Sequence, residues 1–334
     1  MHKRIFGKLP TGEEVFLFTL ADGDARAEIM TYGATLVSLR PFGDVDVIGG
    51  FDSLEPYFTD SSNQGGTIGR VANRIKNACF TLDGKEYRLP ANDNGNCLHG
   101  GIGFHHKLWT VEAYEENRLT LSYYSPDGDD GFPCGLAVEV TYTLSDGALH
   151  IAYTAVPEGK TPIALTNHAY FNLDGFGGDV SRHTLQIWAD RYTEVDDALI
   201  PNGNRPLVEG TPLDFREMRP LKRDADEIFF DCDHNMILSP TVFKDYQGVS
   251  LGLVAQAEND ALCMQMYTDQ PCLQLYTGNF LGDGPAFKGN IPQIRHGAFC
   301  LEAQTEPNCI QHGEAIYDKG QTYRQLTVYQ FLKK

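Results

Sequence analysis

The chain has 334 residues, of which 42% are hydrophobic and 22% charged, and this balance excludes an intrinsically disordered protein. Its formal net charge of −18 opposes binding to nucleic acid or to anionic membranes, so we expect a neutral or cationic ligand and neither of those partners. No apolar segment is long enough for a membrane helix, and no hydrophobic export signal follows the first residues. These features predict a cytoplasmic protein.

The eight cysteines include no Cys-x-x-Cys pair, and most lie in apolar segments that resemble strands. In a chain of this length without an export signal, this usage favours reduced, buried thiols over a disulfide framework.

Short alternating segments separated by glycine and proline indicate β-strands joined by tight turns. Residues 137–144 and 148–156 alternate clearly, and we expect them to form an antiparallel hairpin around Ser145-Asp146-Gly147. Helical spacing is credible only at 52–58 and 216–227. The other predicted strands are 15–20, 34–40, 118–124, 248–256, 261–268, 271–278 and 322–332.

Few helices alternate with these strands, and no linker or repeat divides the chain. The sequence therefore predicts an all-β fold, one large antiparallel β-sandwich domain over 1–334 with few short helices.

Two early segments combine polar side chains with glycine. Residues 69–75 contain two arginines, one of them Arg74, together with Asn73, and residues 97–101 place His99 before a glycine pair. Either segment could be an ordinary turn with solvated charges. The glycines match no dinucleotide or P-loop spacing, and the histidines form no metal-binding motif, so we expect neither a nucleotide nor a metal.

Residues 164–173 alternate between an apolar face and a face that carries His168 and Tyr170. A solvent-facing strand or a hydrogen-bonded core histidine would explain His168, whereas its aromatic and amide neighbours favour a ligand-facing surface.

Two later segments concentrate groups that can hold a polyol. Residues 230–235 carry Asp233 next to an apolar stretch, and in 272–280 the alternation places Gln274 and Tyr276 on one face.

Residues 297–304 place one carboxylate, Glu302, in an otherwise apolar strand, on the same face as Cys300 and Gln304. A buried carboxylate is costly unless it has a partner, and desolvation raises its pKa toward the range of a general base. The alternative is a structural glutamate paired with an arginine.

Taken together, these segments resemble the aldose 1-epimerases (galactose mutarotases). The resemblance depends on seven motifs in order: Asn73-Arg74-Ile75, Leu98-His99-Gly100-Gly101, Ser125-Pro126-Asp127-Gly128 with Gly131-Phe132-Pro133, Asn167 to Leu173, Asp233-His234-Asn235, Gln274 to Phe280, and Leu301-Glu302-Ala303-Gln304. It implies a galactose mutarotase-like β-sandwich that interconverts the α and β anomers of free aldohexoses such as galactose and glucose. It also implies that no cofactor is needed, and we expect a monomer or a homodimer.

Position by position, Glu302 matches the family's general base, which takes the proton of the C1 hydroxyl, and His168 matches the general acid, which protonates the ring oxygen. The resemblance also implies sugar-binding roles for Asn73, Arg74, His99, Asp233 and Gln274.

Three alternatives remain at this stage. The first is an epimerase that acts on a phosphorylated hexose or a disaccharide, because pocket walls decide specificity. The second is a non-catalytic sugar-binding sandwich, because a fold does not establish a function. The third is a metal-dependent enzyme, which would contain stoichiometric metal and lose activity with a chelator.

Overall fold

Antiparallel strands form most of the molecule. The computed structural model describes residues 2–223, 228–229 and 231–334. In chain order the strands are β1 His2–Lys8, β2 Glu14–Asp22, β3 Ala25–Met30, β4 Thr35–Arg40, β5 Thr67–Ile68, β6 Arg74–Ile75, β7 Cys79–Leu82, β8 Lys85–Arg88, β9 Cys97–Leu98, β10 Thr110–Tyr114, β11 Arg118–Ser125, β12 Leu136–Ser145, β13 Ala148–Pro157, β14 Thr161–Pro162, β15 Thr166–Asn167, β16 Tyr170–Phe171, β17 Thr184–Ile187, β18 Ala189–Tyr192, β19 Arg219–Pro220, β20 Lys222–Arg223, β21 Ile228–Phe229, β22 Asp233–Leu238, β23 Phe243–Tyr246, β24 Val249–Glu258, β25 Leu262–Thr268, β26 Cys272–Tyr276, β27 Phe299–Gln304, β28 Ile316–Tyr317 and β29 Tyr323–Lys333.

Helices are short throughout the described chain. One α-helix, α1, covers Pro56–Thr59. The 3₁₀ helices are Lys76–Ala78, Phe104–His106, Asp129–Gly131, Val180–Arg182, Lys288–Asn290 and Cys309–His312. Among these residues, no helix has both the length and the apolar composition needed to cross a lipid bilayer.

Three sheets carry the architecture. A ten-stranded sheet has the order β10-β11-β12-β13-β29-β25-β24-β17-β19, with β23 also paired to β24. A five-stranded sheet has the order β16-β27-β26-β22-β18, and β1 to β4 form a four-stranded sheet in chain order. Side chains from all three sheets, including Leu36, Val140 and Leu301, pack in one hydrophobic core. The predicted all-β antiparallel fold is confirmed.

The predicted hairpin is present between β12 and β13. Ser145 pairs with Ala148, so the connecting turn is the two residues Asp146 and Gly147. Both have positive φ, at 52° and 71°, which is the geometry of a type I′ turn whose twist matches the paired strands.

The two predicted helices are largely wrong. The segment 52–58 contains three of the four residues of α1, but its residues 52–55 are not helical. Within 216–227, residues 219–220 and 222–223 are the strands β19 and β20, and 224–227 lie outside the described residues. Pro220 explains the error, because proline lacks a backbone donor and disfavours helical geometry at the residue before it.

The predicted strand at 164–173 is interrupted. β15 pairs with β5, whereas β16 pairs with β27 in the five-stranded sheet. Between them, the backbone of His168 donates to the Gly66 carbonyl oxygen and accepts from the Gly65 amide. The chain therefore crosses from one sheet to another at His168, which alternation of side chains cannot reveal.

The predicted burial of the thiols is confirmed for six of the eight cysteines. All eight cysteines are free, and Cys79 and Cys134 alone among them are not buried.

Buried histidines make the fold sensitive to acid. Burial lowers the pKa below the usual 6.5 at His99, His105, His106, His150, His168 and His183. Between the lowered native pKa and about 6.5, the unfolded chain binds protons that the native chain does not, so stability falls as the pH falls. For His168, with a native pKa of about 4, the loss from pH 7 to pH 5 is about 2 kcal/mol.

The raised pKa values of Glu302, Asp60 and Asp269 act in the opposite direction, but these three carboxyl groups offset only part of the effect of six histidines. We therefore expect the midpoint of urea unfolding to be lower at pH 5 than at pH 7. The variant His105→Phe should show a weaker pH dependence, and His312→Gln, which changes an exposed side chain, should show the wild-type dependence. Equal midpoints at the two pH values would contradict this account.

Candidate active site

A cavity of about 220 Å³ lies between one face of the five-stranded sheet and the neighbouring loops. It is smaller than the roughly 300–1,000 Å³ of pockets for drug-sized ligands, so it suits one small molecule. All seven residues singled out from the sequence line it: Asn73, Arg74, His99, His168, Asp233, Gln274 and Glu302.

Three adjacent strands present the acidic and amide groups. On β27, alternation places Glu302 on the cavity side, directly across from Gln274 on β26. Gln274 is in turn paired with Asn235 on β22, the strand that begins at Asp233. The register of these strands fixes the relative positions of the groups before any ligand enters.

Glu302 is buried without a full set of partners. Its side chain is 3% exposed, and its Oε2 has no hydrogen-bond partner among the described protein atoms. Burial, followed by the negative charge of Asp233, raises the pKa of Glu302 well above its usual range, and Arg74 opposes this shift. A carboxyl group with a raised pKa and a free oxygen is suited to accept a proton from a bound ligand.

His168 lies next to Glu302 at the crossing between β15 and β16. Its Nε2 is 3.8 Å from Glu302 Oε1, and its Nδ1 is 3.7 Å from the thiol of Cys300. The ring also stacks on Tyr170, with ring centres 5.1 Å apart. Burial lowers the pKa of His168 to about 4. These contacts hold the imidazole plane with Nε2 toward the carboxylate.

Glu302 and His168 can share one proton. Because burial raises the pKa of Glu302 and lowers that of His168, burial favours this proton on Glu302. The opposite distribution, a carboxylate beside an imidazolium, differs by one proton transfer. The pair can therefore remove a proton from one ligand atom and deliver a proton to another.

Asn73 and His99 are held in unusual backbone conformations at the neighbouring strand ends. Their φ angles are 61° and 54°, in the left-handed region. The His99 amide donates to the Asn73 carbonyl oxygen, and the Asn73 amide donates to His99 Nδ1 at 3.3 Å. A Cβ at Gly100 would lie 2.4 Å from the Gly69 carbonyl oxygen, so this close approach requires glycine.

The bond from the Asn73 amide also determines the protonation of His99. Nδ1 accepts this bond, so the ring proton is on Nε2, which can donate. Burial lowers the pKa of His99 well below 6.5, with a further contribution from His168, and the ring stays neutral. The Asn73 side-chain oxygen accepts from the Arg74 amide, which leaves its NH₂ group available to donate.

Arg74 and Asp233 lie side by side on the cavity wall. Arg74 Nη1 is 3.7 Å from Asp233 Oδ2, which is an ion pair but too long for a hydrogen bond, so a ligand hydroxyl beside the pair can bond to both groups. On its other side, Arg74 Nε donates to Asp93 at 2.7 Å. Gln274 Nε2 donates to Asp233 Oδ1 at 2.6 Å and so orients that carboxylate.

Three cavity groups also meet the distance requirement for a metal ion. Ligand atoms of His99, His168 and Glu302 lie within 4.8 Å of one another. Coordination of a metal through His99 Nδ1 would displace the Asn73 amide. Coordination through Nε2 would move the ring proton to Nδ1, where it would face the N–H group of the same amide. The donor chemistry of His99 therefore fits a hydroxyl oxygen better than a cation, and the expected absence of a metal stays a prediction.

Sequence reasoning missed one wall of the cavity and one partner of Arg74. The wall is the loop 61–63, which lies far in sequence from the other lining residues and has no distinctive motif. The partner is Asp93. Phe280, which the sequence placed in a motif without a role, is 82% exposed at the rim and stacks on Tyr276. Arg70 is buried away from the cavity and donates to Pro133 and Ser125.

Known proteins resemble this chain along almost its full length. The family model described as aldose 1-epimerase matches residues 17–330. Galactose mutarotase from Rattus norvegicus is 39% identical over 342 residues, covering 98% of each chain. Aldose 1-epimerase from Escherichia coli K12 is 34% identical over 348 residues, covering 97% of each. The crystal structure of an aldose epimerase homologue from C. elegans superposes with a TM-score of 0.86 at 29% identity, covering 95% of this chain and 98% of that one.

Proposed function

The chain belongs to the aldose 1-epimerase family, and we propose that Glu302 and His168 are the general base and general acid of its reaction. That reaction is the interconversion of the α and β anomers of free aldoses such as galactose and glucose. It proceeds by opening the ring, rotating about the C1–C2 bond, and closing the ring again.

This proposal rests on the short distance between Glu302 and His168. The C1 hydroxyl oxygen and the ring oxygen are bonded to the same carbon, so a base for one and an acid for the other must lie close together. Glu302 Oε1 and His168 Nε2 are 3.8 Å apart and both side chains are buried, and Glu302 Oε2 has no partner among the residues that the structure describes. Neither proton transfer requires a cofactor.

The proton moves through the pair in a closed cycle. In the opening step, the Glu302 carboxylate takes the proton of the C1 hydroxyl while the His168 imidazolium protonates the ring oxygen, and the C1–O5 bond breaks. This step leaves Glu302 protonated and His168 neutral, the distribution that burial favours. Ring closure on either face of the aldehyde returns both protons, and no net proton enters or leaves.

The remaining polar groups match the hydroxyls of one sugar. His99 Nε2 and the Asn73 NH₂ group donate, Asp233 accepts, and Arg74 donates from beside Asp233. We propose that Gln274 acts mainly by orienting Asp233, because its NH₂ group is already bonded to that carboxylate.

The charge of the cavity favours a neutral sugar over a phosphorylated one. Arg74 is the single lysine or arginine among the described residues that line the cavity, and it is paired with the carboxylates of Asp233 and Asp93. A phosphate would need additional cations to replace its hydration.

The proposal is tested by dissolving crystalline α-D-galactose and following its optical rotation with and without catalytic amounts of protein. We expect the protein to accelerate the approach to equilibrium, with rates on glucose, maltose and glucose 6-phosphate measured alongside. No acceleration on galactose or glucose, together with normal binding of either sugar, would favour a binding protein. Stoichiometric metal and inactivation by a chelator would favour a metal enzyme.

The proton distribution predicts a bell-shaped pH dependence of kcat/KM. The active pair carries one proton, so activity falls when His168 takes up a second, near its pKa of about 4. Activity also falls at high pH, when the pair loses its only proton at the raised pKa of Glu302. We expect a broad optimum between these limits, measured by polarimetry after subtraction of the uncatalysed rate. An alkaline limb near the ordinary glutamate pKa of about 4.3 would contradict the assignment.

We also propose that residues 1–334 form one domain, since one core cluster includes strands from the start, middle and end of the chain. The free cysteines support a cytoplasmic location. The monomeric or homodimeric state stays a prediction, which light scattering after gel filtration would check.

A further inference from the structure

We propose that Asp93, which is not among the residues lining the cavity, is a positioning residue that sets the affinity for the sugar by fixing the guanidinium of Arg74. This inference rests on the proposed function, because it takes Arg74 to be a sugar ligand.

Asp93 is placed by a tight turn. Its backbone exchanges two hydrogen bonds with Asn96, at 3.1 and 2.8 Å. The residues between, Asn94 and Gly95, have φ angles of 48° and 84°. The chain then continues through β9 to His99, so one loop supplies both a cavity donor and the carboxylate behind Arg74. Its geometry is defined by backbone bonds, and it therefore offers Arg74 a fixed partner.

Arg74 lies between two carboxylates at unequal distances. Its Nε donates to Asp93 at 2.7 Å, whereas its Nη1 is 3.7 Å from Asp233. The three side chains are only 11%, 20% and 16% exposed, so water screens these charges weakly. The bond to Asp93 keeps Arg74 from closing into a direct hydrogen bond with Asp233, so Nη1 and Oδ2 stay available to a sugar hydroxyl that bridges them from the cavity side.

Removal of the Asp93 charge would leave Asp233 as the nearby carboxylate that attracts Arg74. Charge-assisted arginine–carboxylate pairs are strong and often bidentate, so Arg74 would then close onto Asp233. A sugar would have to separate that pair before it could bind. Arg74 contacts the sugar before and during the reaction, so the loss falls on binding more than on the proton transfers.

The experiment compares wild type with Asp93→Asn, which keeps the size and turn preference of the side chain. We expect about a 10-fold higher KM for galactose and about a 10-fold higher Kd by calorimetry, with kcat within about threefold of wild type. An unchanged Kd, or a fall in kcat with an unchanged KM, would overturn the inference.

Two further comparisons separate a positioning role from a general loss of structure. Asp214→Asn removes a similar pair, in which Arg216 Nε donates to Asp214 at 2.8 Å away from the cavity, and it should leave Kd and KM unchanged. In an Arg74→Met background, Asp93→Asn should change Kd no further, because the effect passes through Arg74. A full additional 10-fold loss there would overturn the inference.

The proposed function is judged separately from this inference. A wild type that binds galactose without accelerating mutarotation would refute the acid–base assignment, while the Kd values would still decide the role of Asp93.

Discussion

Replacement of Glu302 by glutamine is expected to lower kcat for galactose mutarotation by about 10²–10⁴-fold, with KM within a few fold of wild type. Glutamine keeps the size of the side chain and its ability to bond a hydroxyl, but its amide cannot take the proton from the C1 hydroxyl. The loss therefore falls on the chemical step, and polarimetry over a range of galactose concentrations measures both constants.

The same substitution is expected to leave the protein at least as stable as wild type. Glu302 is buried, its Oε2 has no partner within the described part of the chain, and the Asp233 charge further disfavours its ionised form. Wild type must either bury this charge or take up a proton on folding, and neutral glutamine avoids both costs. An unchanged or higher Tm beside a large loss of kcat is a result that misfolding cannot produce.

Glu306→Gln is the matched control for this variant. Glu306 follows β27, accepts from Thr193 at 2.7 Å and pairs with Arg205, outside the residues that line the cavity. We expect wild-type kcat and KM from it. If Glu302→Gln kept more than about a tenth of wild-type kcat, Glu302 would not be the general base.

Local sequence patterns predicted the long strands well because polar and apolar side chains alternate along a strand as they alternate between solvent and core. In 137–156 alternation and a turn signal agree, and each end of β12 and β13 lies within one residue of the prediction. Residues 164–173 show the limit of this reasoning. Their alternation is genuine, but the partners of β15 and β16 are in different sheets, and a partner in another part of the chain leaves no local signal.

The candidate site was predictable where a residue type is unexpected in its segment. Glu302 stands out because a carboxylate is rare in an apolar strand, and His99 because two glycines follow it. Asp93 lies among polar turn residues, where an aspartate is ordinary. Its importance depends on the 2.7 Å contact with Arg74, which only the three-dimensional arrangement reveals.

Replacement of His168 by asparagine is expected to lower kcat by a similar factor of about 10²–10⁴. Asparagine can still bond the ring oxygen but cannot protonate it, so the leaving oxygen would depart as an alkoxide. The acid limb of the kcat/KM profile near pH 4 should disappear with the imidazole. His150→Asn, the same change at a histidine of β13 outside the cavity, should retain wild-type rates.

The variant that combines Glu302→Gln with His168→Asn tests whether the two groups act as one unit. If ring opening needs both proton transfers in the same step, removal of either group already forfeits most of the acceleration. The double variant should then be at most a few fold slower than the slower single variant. If the losses multiplied to about 10⁴–10⁸, the two transfers would be independent steps, and the 3.8 Å separation of Oε1 and Nε2 would not be the basis of catalysis. Mutarotation rates of wild type, the two single variants and the double variant, measured against the uncatalysed rate at one pH, distinguish these outcomes. If the transfers are concerted, all three variants should retain only the residual acceleration that sugar binding provides.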